Sequence, residues 1–238
     1  MIEHVYRRAT EANSVDAVIV ATDDERIAEA VERFGGTVCM TRADHRSGTD
    51  RIAEVVAPLT CTFVVNVQGD EPMIDPRAID AVLAPLEADP SIGMSTVRQR
   101  ITIPDDYDSH DVVKVVVAAN GDALYFSRAP LPYIRTDAAE GPTRSRHPVD
   151  QLRVVAGVRR PVPVFKHIGL YAFRRDFLLT FAALTPTPLE VAESLEQLRA
   201  LEHGFRIRTV EIAYDSIGVD TPGDLERVRR QLGTAARR

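Results

Sequence analysis

The chain is short of cysteine, of uninterrupted apolar runs and of excess positive charge, and each shortage removes a class of protein. Cys39 and Cys61 are the only two cysteines in 238 residues, and both lie in apolar stretches. Small buried hydrophobes are the expectation, with no disulfide framework. With no paired histidine motif nearby, they give no zinc signature. No apolar run approaches the ~20 residues of a membrane-spanning helix. Met1-Ile2-Glu3-His4-Val5-Tyr6-Arg7-Arg8 is charged and lacks the apolar segment of a secretory signal, so a cytoplasmic protein is expected. The formal net charge is -6, against the basic face of a general nucleic-acid binder. A local basic pocket for a nucleotide or an acidic sugar remains compatible with it.

What is present is an ordinary globular composition, 45% hydrophobic and 27% charged. A chain of this size buries roughly 70% of its unfolded surface and needs no staples. The most informative stretch is Val64-Val65-Asn66-Val67-Gln68-Gly69-Asp70-Glu71-Pro72. A β-rich run that stops at an amide, a glycine and two carboxylates reads as a buried strand ending at the carboxyl edge of a parallel sheet. In open α/β sheets ligands sit at that edge. Asp70 on a rigid strand tip is then a seat for Mg²⁺ and a bound phosphate; a solvated acidic turn is the plainer reading.

The pattern predicts a helix over 3–13, a strand over 16–22 and a helix over 23–34 ended by Gly35-Gly36. A strand over 37–41 follows, and then a polar loop, Arg42–Gly48. Ser47 or Thr49 can cap the next helix, which turns Ile52, Val55, Val56 and Leu59 inward. A strand over 62–67 and a helix over 76–88 continue the alternation, the pattern of a parallel sheet with helices on both faces. From residue 91 the rhythm changes. Asn120-Gly121 between two β-rich runs predicts an antiparallel hairpin. Residues 136–163 read as a long loop or lid, or as a loop holding a short helix at 149–156. Lys166–Phe173 reads as a strand, with a helix from Arg175. One helix is expected from Thr187-Pro188-Leu189-Glu190, a capping box, to His203-Gly204. Its Leu189, Ala192, Leu195 and Leu198 would face inward, and Glu193, Glu196 and Gln197 would share another side. Thr221-Pro222-Gly223-Asp224 opens a last helix, with Arg237-Arg238 frayed. The expected architecture is α/β, a single domain over 1–238, mostly parallel, with an inserted hairpin and lid region over 91–175.

Asp220, just before that last helix, is a second acidic candidate or part of its cap. Two carboxylates from distant strand ends can converge on one Mg²⁺. Arg42–Thr49 precedes a helix N-terminus, which favours anions. Arg128 lies just past a hairpin strand and can grip a carboxylate with two parallel bonds, or be a solvated charge. His167, Gly169 and Tyr171 alternate along one strand.

The strings CMTRADHRSGTDRIAEVV, VVNVQGDEPMI, VVKVVVAANGDALYFSRAPLP, KHIGLYAFRR, TPLEVAESLEQLRALEHG and GVDTPGDLERVR, in this order, closely resemble the 3-deoxy-manno-octulosonate cytidylyltransferases. The resemblance is weakest over about 136–163. It implies a Rossmann-like nucleotidyltransferase sheet and a reaction in which the acidic eight-carbon sugar Kdo attacks the α-phosphorus of CTP. CMP-Kdo and pyrophosphate form, for lipopolysaccharide biosynthesis. By that resemblance Asp70 and Asp220 bind Mg²⁺ and are the catalytic pair. Arg42, Ser47, Gly48, Thr49 and Gln68 line the nucleotide pocket. Gln68, Arg128, His167, Tyr171, Glu196 and Gln197 hold the sugar, with Arg128 for its carboxylate. No protein nucleophile is required, and family members are usually homodimers, with contacts expected in the 91–175 region.

The family also implies an N-terminal strand and a phosphate-wrapping loop ahead of the segment that Met1-Ile2-Glu3-His4-Val5 matches. The expectation is a chain that lacks this piece, through a late start codon or a true truncation, with strands 16–22 and 62–67 deprived of a shared neighbour and little activity. Reading the DNA upstream of Met1 separates the two origins. Three rivals remain at this point: a cytidylyltransferase for another acidic sugar, such as a sialic acid; an inactive sugar-binding remnant; and a metal-dependent glycosyltransferase with a similar sheet, which fits the acidic strand end but not the six ordered strings.

Overall fold

The computed structural model describes residues 1–133, 152–155, 158–161, 163–213, 218, 219 and 221–235, with backbone alone for 152–155, 158–161 and 232–235. Asp220, the rest of the expected 136–163 loop and Arg237-Arg238 lie outside the described residues. In chain order the elements are α1 (Ile2–Thr10), β1 (Val20–Thr22), α2 (Glu25–Arg33), β2 (Val38–Met40), α3 (Gly48–Val56), β3 (Phe63–Asn66) and α4 (Pro76–Ala88). Then come β4 (Met94–Arg100), α5 (Pro104–Asp108), β5 (Lys114–Val117), β6 (Ala123–Ser127), β7 (Leu152–Val155) and β8 (Val158–Pro161). The chain ends with β9 (Phe165–Arg174), α6 (Arg175–Ala182), α7 (Pro188–Glu193), α8 (Gln197–Glu202), β10 (Ile207–Glu211) and α9 (Pro222–Ala235). They fall into two compact units. The first is Met1–Ser95 with Gly169–Leu184 and Tyr214–Arg238, and the second is Thr96–Ile168 with Thr185–Ala213. The second overlaps the expected 91–175 excursion and adds Thr185–Ala213.

In the first unit the predicted helix–strand alternation is present. α4 shows why its residues form a helix. The Asp75 carboxylate accepts the Arg77 N–H at 2.8 Å, Pro76 takes the first turn, and Ile79, Val82, Leu83 and Leu86 bury one stripe. Phe173, Leu178 and Phe181 are buried in the same unit. β1 and β2 pair in parallel, Val20 opposite Val38. β3 pairs antiparallel with the later half of β9, Phe63 opposite Arg174 and Asn66 opposite Tyr171. Among the ladders with a described register only β1–β2 is parallel. No described strand pairs with both β1 and β3, and residues 17–19 of the expected strand join no ladder. Leu59 corrects another expectation. It lies beyond the end of α3 and is exposed, and only Ala53, Val55 and Val56 of that turn are buried.

In the second unit the strand path runs β10-β4-β9-β5-β6. The β5–β6 hairpin forms where Asn-Gly predicts it. Gly121 has φ +90°, a conformation costly for other residues, and the Asn120 side-chain oxygen accepts the Asp122 N–H at 3.0 Å. Val115, Phe126, Val97, Leu198 and Ile207 fill the core. The short helix weighed for 149–156 is not formed: Leu152–Val155 is strand β7, paired antiparallel with β8. The β-branched Val154, Val155 and Val158 around Ala156-Gly157 explain that preference.

The single helix expected over 187–203 is two. Ser194 sits at φ +52°, ψ 48°, a left-handed residue that ends α7, and α8 starts afresh at Gln197. Leu195 and Leu198 are buried, but Leu189 and Ala192 are exposed. Glu193, Glu196 and Gln197 therefore do not share one helix side.

Candidate active site

In the first unit, α3 and the loop before it form one device. Ser47 caps α3, its hydroxyl accepting the Asp50 N–H at 3.1 Å. Gly48 opens the helix and Thr49 is buried. Arg42 is exposed and stands near Asp44 (3.3 Å) and Glu54 (3.7 Å). A recess of about 550 Å³ is lined by Arg42, Asp44, His45, Arg46, Asp50, Glu54 and Ala182. Two residues not foreseen from the sequence hold the loop from α3. Glu54 takes the Arg42 N–H at 3.4 Å and a short hydrogen bond with His45 Nε2. Arg51 donates to Thr41 Oγ1 at 2.5 Å and pairs with Asp23 at 3.2 Å. The His45 hydrogen bond, aided by Arg42, holds the Glu54 carboxyl below its usual range. The signal was available: Arg51 and Glu54 are three apart, so both reach the same neighbouring strand of chain.

β3 delivers the next group. Asn66 is buried opposite Tyr171, and Gln68 Nε2 donates to Asn66 Oδ1 at 3.3 Å. Tyr171 stacks on Phe173 with centroids 6.1 Å apart. Asp70 is not on the strand tip expected for it but in the turn four residues past Asn66, where β3 ends; it is half-buried, and its carbonyl accepts the Val219 N–H at 2.9 Å. The chain is thus tied to Asp70 at the residue that precedes Asp220 in sequence. Gln68, Tyr171 and Asp70 all belong to this unit, with Arg42, Ser47, Gly48 and Thr49.

Arg128, His167, Glu196 and Gln197 belong to the second unit. Arg128 is held rather than solvated. Its N–H donates to Glu193 Oε2 (2.9 Å), its Nε to the Glu193 carbonyl (3.0 Å) and its Nη1 to the His110 carbonyl (3.2 Å). Ser127 Oγ donates to Glu193 Oε1 at 2.5 Å. Partial burial opposes ionisation of Glu193. The hydrogen bonds from Ser127, Arg128 and Tyr125 outweigh it and hold the carboxyl below its usual range. Lys114 is buried with 0% exposure, and its Nζ donates to the carbonyls of Ser109 (2.6 Å), Val112 (2.6 Å) and Arg128 (2.7 Å).

His167 Nε2 lies 2.9 Å from the hydroxyl of buried Thr96, and its ring meets the face of Phe126 edge-on at 5.0 Å. The ring keeps some accessible surface but is walled by protein, and burial pulls its pKa down to about 3, so it is neutral at pH 7. Glu196 precedes α8 and lies 3.7 Å from Arg199. Gln197 is 3% exposed and its Nε2 has no hydrogen-bond partner among the described residues. Such an orphaned buried donor is costly unless something else satisfies it.

No helix among the described residues is long and apolar enough to cross a membrane. Among them, no cluster of three or more His, Cys, Asp or Glu could hold a metal by itself.

The cytidylyltransferase family model matches residues 1–209. A 3-deoxy-manno-octulosonate cytidylyltransferase of Geobacter metallireducens is 54% identical over 232 residues, which are 98% of this chain and 87% of that protein. One from Geobacter sulfurreducens is 50% identical over 98% of this chain and 88% of its own length. A CMP:2-keto-3-deoxy-manno-octonic acid synthetase solved in complex with CTP superposes with TM-score 0.84 at 42% identity, covering 98% of this chain and 88% of that one. A glucose-1-phosphate thymidylyltransferase of Bacillus anthracis, 13% identical with TM-score 0.59 over 97% of this chain and 81% of its own, shares the fold alone. With matches of this extent and identity, the chain belongs to the cytidylyltransferase family, among the 3-deoxy-manno-octulosonate cytidylyltransferases.

Proposed function

We propose that this chain transfers CMP from CTP to Kdo, giving CMP-Kdo and pyrophosphate. The observation that carries the reading is the identity of about half of all residues, across nearly the whole chain, to proteins of that name. The sugar hydroxyl oxygen forms a bond to the α-phosphorus, the bond to the pyrophosphate oxygen breaks, and the hydroxyl proton leaves to solvent. No protein nucleophile takes part. The chain's task is to bring two anions together and keep them aligned.

In this reading the Arg42–Thr49 loop and Gln68 receive the nucleotide. Arg42 supplies charge, and the start of α3 presents backbone N–H groups. Arg128 takes the sugar carboxylate. Tyr171, neutral His167, Glu196 and Gln197 bind its hydroxyls. The unpaired amide of Gln197 is the kind of donor that a sugar oxygen would satisfy. The Mg²⁺ ligands in this reading are Asp70, a hard oxygen in the turn after β3, and Asp220; a site with few protein ligands leaves room for water and phosphate. When bound, the ion supplies Lewis-acid stabilisation of charge on the phosphate oxygens. We further infer a cytoplasmic homodimer serving lipopolysaccharide biosynthesis.

The test is pyrophosphate release from CTP with Kdo, with a sialic acid and with a neutral sugar. Release with Kdo alone is expected, and release with every acceptor, or with a sialic acid and not Kdo, would end the assignment. In an active preparation Asp70→Asn is expected to lower Mg²⁺-dependent turnover by at least about 10²-fold. Unchanged turnover would remove Asp70 from the ion.

A further inference from the structure

Arg128 stands inside a closed hydrogen-bond frame that its proposed contact with the sugar does not by itself require. The inference that follows rests on the reading of Arg128 as the carboxylate grip. A guanidinium has five N–H donors in one rigid plane. Here Nε is committed to the Glu193 carbonyl and Nη1 to the His110 carbonyl. Two bonds from one plane to two fixed carbonyls remove its freedom to rotate. The backbone of Arg128 is fixed as well, its N–H on the Glu193 carboxylate and its carbonyl on Lys114 Nζ.

Each partner is itself over-determined. Glu193 is the last residue of α7, where the carbonyls lack intrahelical partners and where an acid is at the less favourable end of the helix. The left-handed Ser194 ends the helix there. The carbonyl of Glu193 thereby becomes available to Arg128, and its side chain meets Ser127 Oγ and the Arg128 N–H. Lys114 matches its three ammonium donors to three carbonyls. Two of these, Ser109 and Val112, flank the His110 whose carbonyl receives Arg128 Nη1. A fully buried lysine is expensive and rare. Its bonds all converge on the two segments that define where Arg128 points.

We propose that Glu193 and Lys114 are positioning residues that lock the Arg128 guanidinium at one orientation and thereby set affinity for the carboxylate of the acidic sugar. Planar, two-bond recognition of a carboxylate depends on that orientation far more than a point charge would.

The experiment is a double-mutant cycle on the full chain, with Kdo and CTP dissociation constants measured by calorimetry and folding followed by thermal unfolding. Arg128→Ala is expected to weaken Kdo binding by about 10²-fold and Glu193→Gln by about tenfold, with CTP affinity within about twofold. The double variant is expected to match Arg128→Ala alone, because a frame with nothing to hold has no further effect. An additive double variant, or a Glu193→Gln that weakens CTP and Kdo alike, would overturn the proposal and leave Glu193 a general scaffold residue. Lys114→Met leaves three carbonyls unpaired, so Glu193→Gln is the deciding variant should Lys114→Met fail to fold. If the parent chain binds no Kdo, the functional reading itself falls, an outcome distinct from additivity in a parent that does bind it.

Discussion

At the scale of single residues, His167 carries a consequence for acid stability. Its pKa in the fold is about 3, below the ordinary histidine value of 6.5, because its surroundings disfavour the charged ring. Between those values the unfolded chain binds the proton and the folded chain does not. Stability from this group is therefore whole above pH 6.5 and is lost as pH falls toward 3. The full span corresponds to about 5 kcal/mol at most. His167→Gln should accordingly flatten the loss of stability between pH 7 and pH 5, measured by chemical denaturation at each pH. A variant whose loss runs parallel to the parent's would mean that the ring charges freely in the fold. The end of β3 was legible from the sequence, since an abrupt switch from apolar to polar marks a strand end; the Gln68–Asn66 hydrogen bond was not. Lys114 and Glu193 were not, because a lysine amid valines and a glutamate in a helix carry no local mark. The Ser127 and Arg128 groups that meet Glu193, and the Arg128 carbonyl that meets Lys114, are brought near only by the fold.

At the scale of elements, α3 acts as a clamp as well as a support. Arg51 and Glu54 grip Thr41, Arg42 and His45, and that loop contains two arginines, Arg42 and Arg46, that trypsin could cut. Glu54→Ala should raise the rate of tryptic cleavage at those two positions by about tenfold, read by mass spectrometry, with little change in Tm. An unchanged rate would show that the loop needs no hold from Glu54. Elements whose ends are written in local chemistry emerged where the sequence put them: α4 with its Asp75-Pro76 start, and the hairpin turned by Asn120-Gly121. Elements decided by distant partners did not. β1 shrank to three residues, for a strand is as long as its ladder. The α7–α8 break was hidden because apolar spacing ran through Ser194 unbroken, and only tertiary contacts of Glu193 and Leu198 favour a bend there.

At the scale of the whole molecule, the α/β architecture and its family were readable because six ordered strings span nearly the full length. The division into two compact units was not, since three separate stretches of chain build the first and no composition shift marks the crossings. The inferred homodimer should sediment at twice 26.3 kDa in the micromolar range; a single-chain mass at all concentrations would remove it. The positive side chains add a last point. Of 29 lysines and arginines only Lys114 and Lys166 are lysines. Lys114 is sealed among carbonyls, and Lys166 is paired with Asp106 at 3.0 Å. Amine-directed dyes, crosslinkers and surface coupling chemistries are therefore restricted among the described lysines to the half-buried, ion-paired Lys166. Tethering or labelling this protein calls for arginine- or carboxylate-directed reagents, or for thiol reagents at Cys39 and Cys61, which form no disulfide and are only half-buried rather than sealed in the core as the sequence suggested.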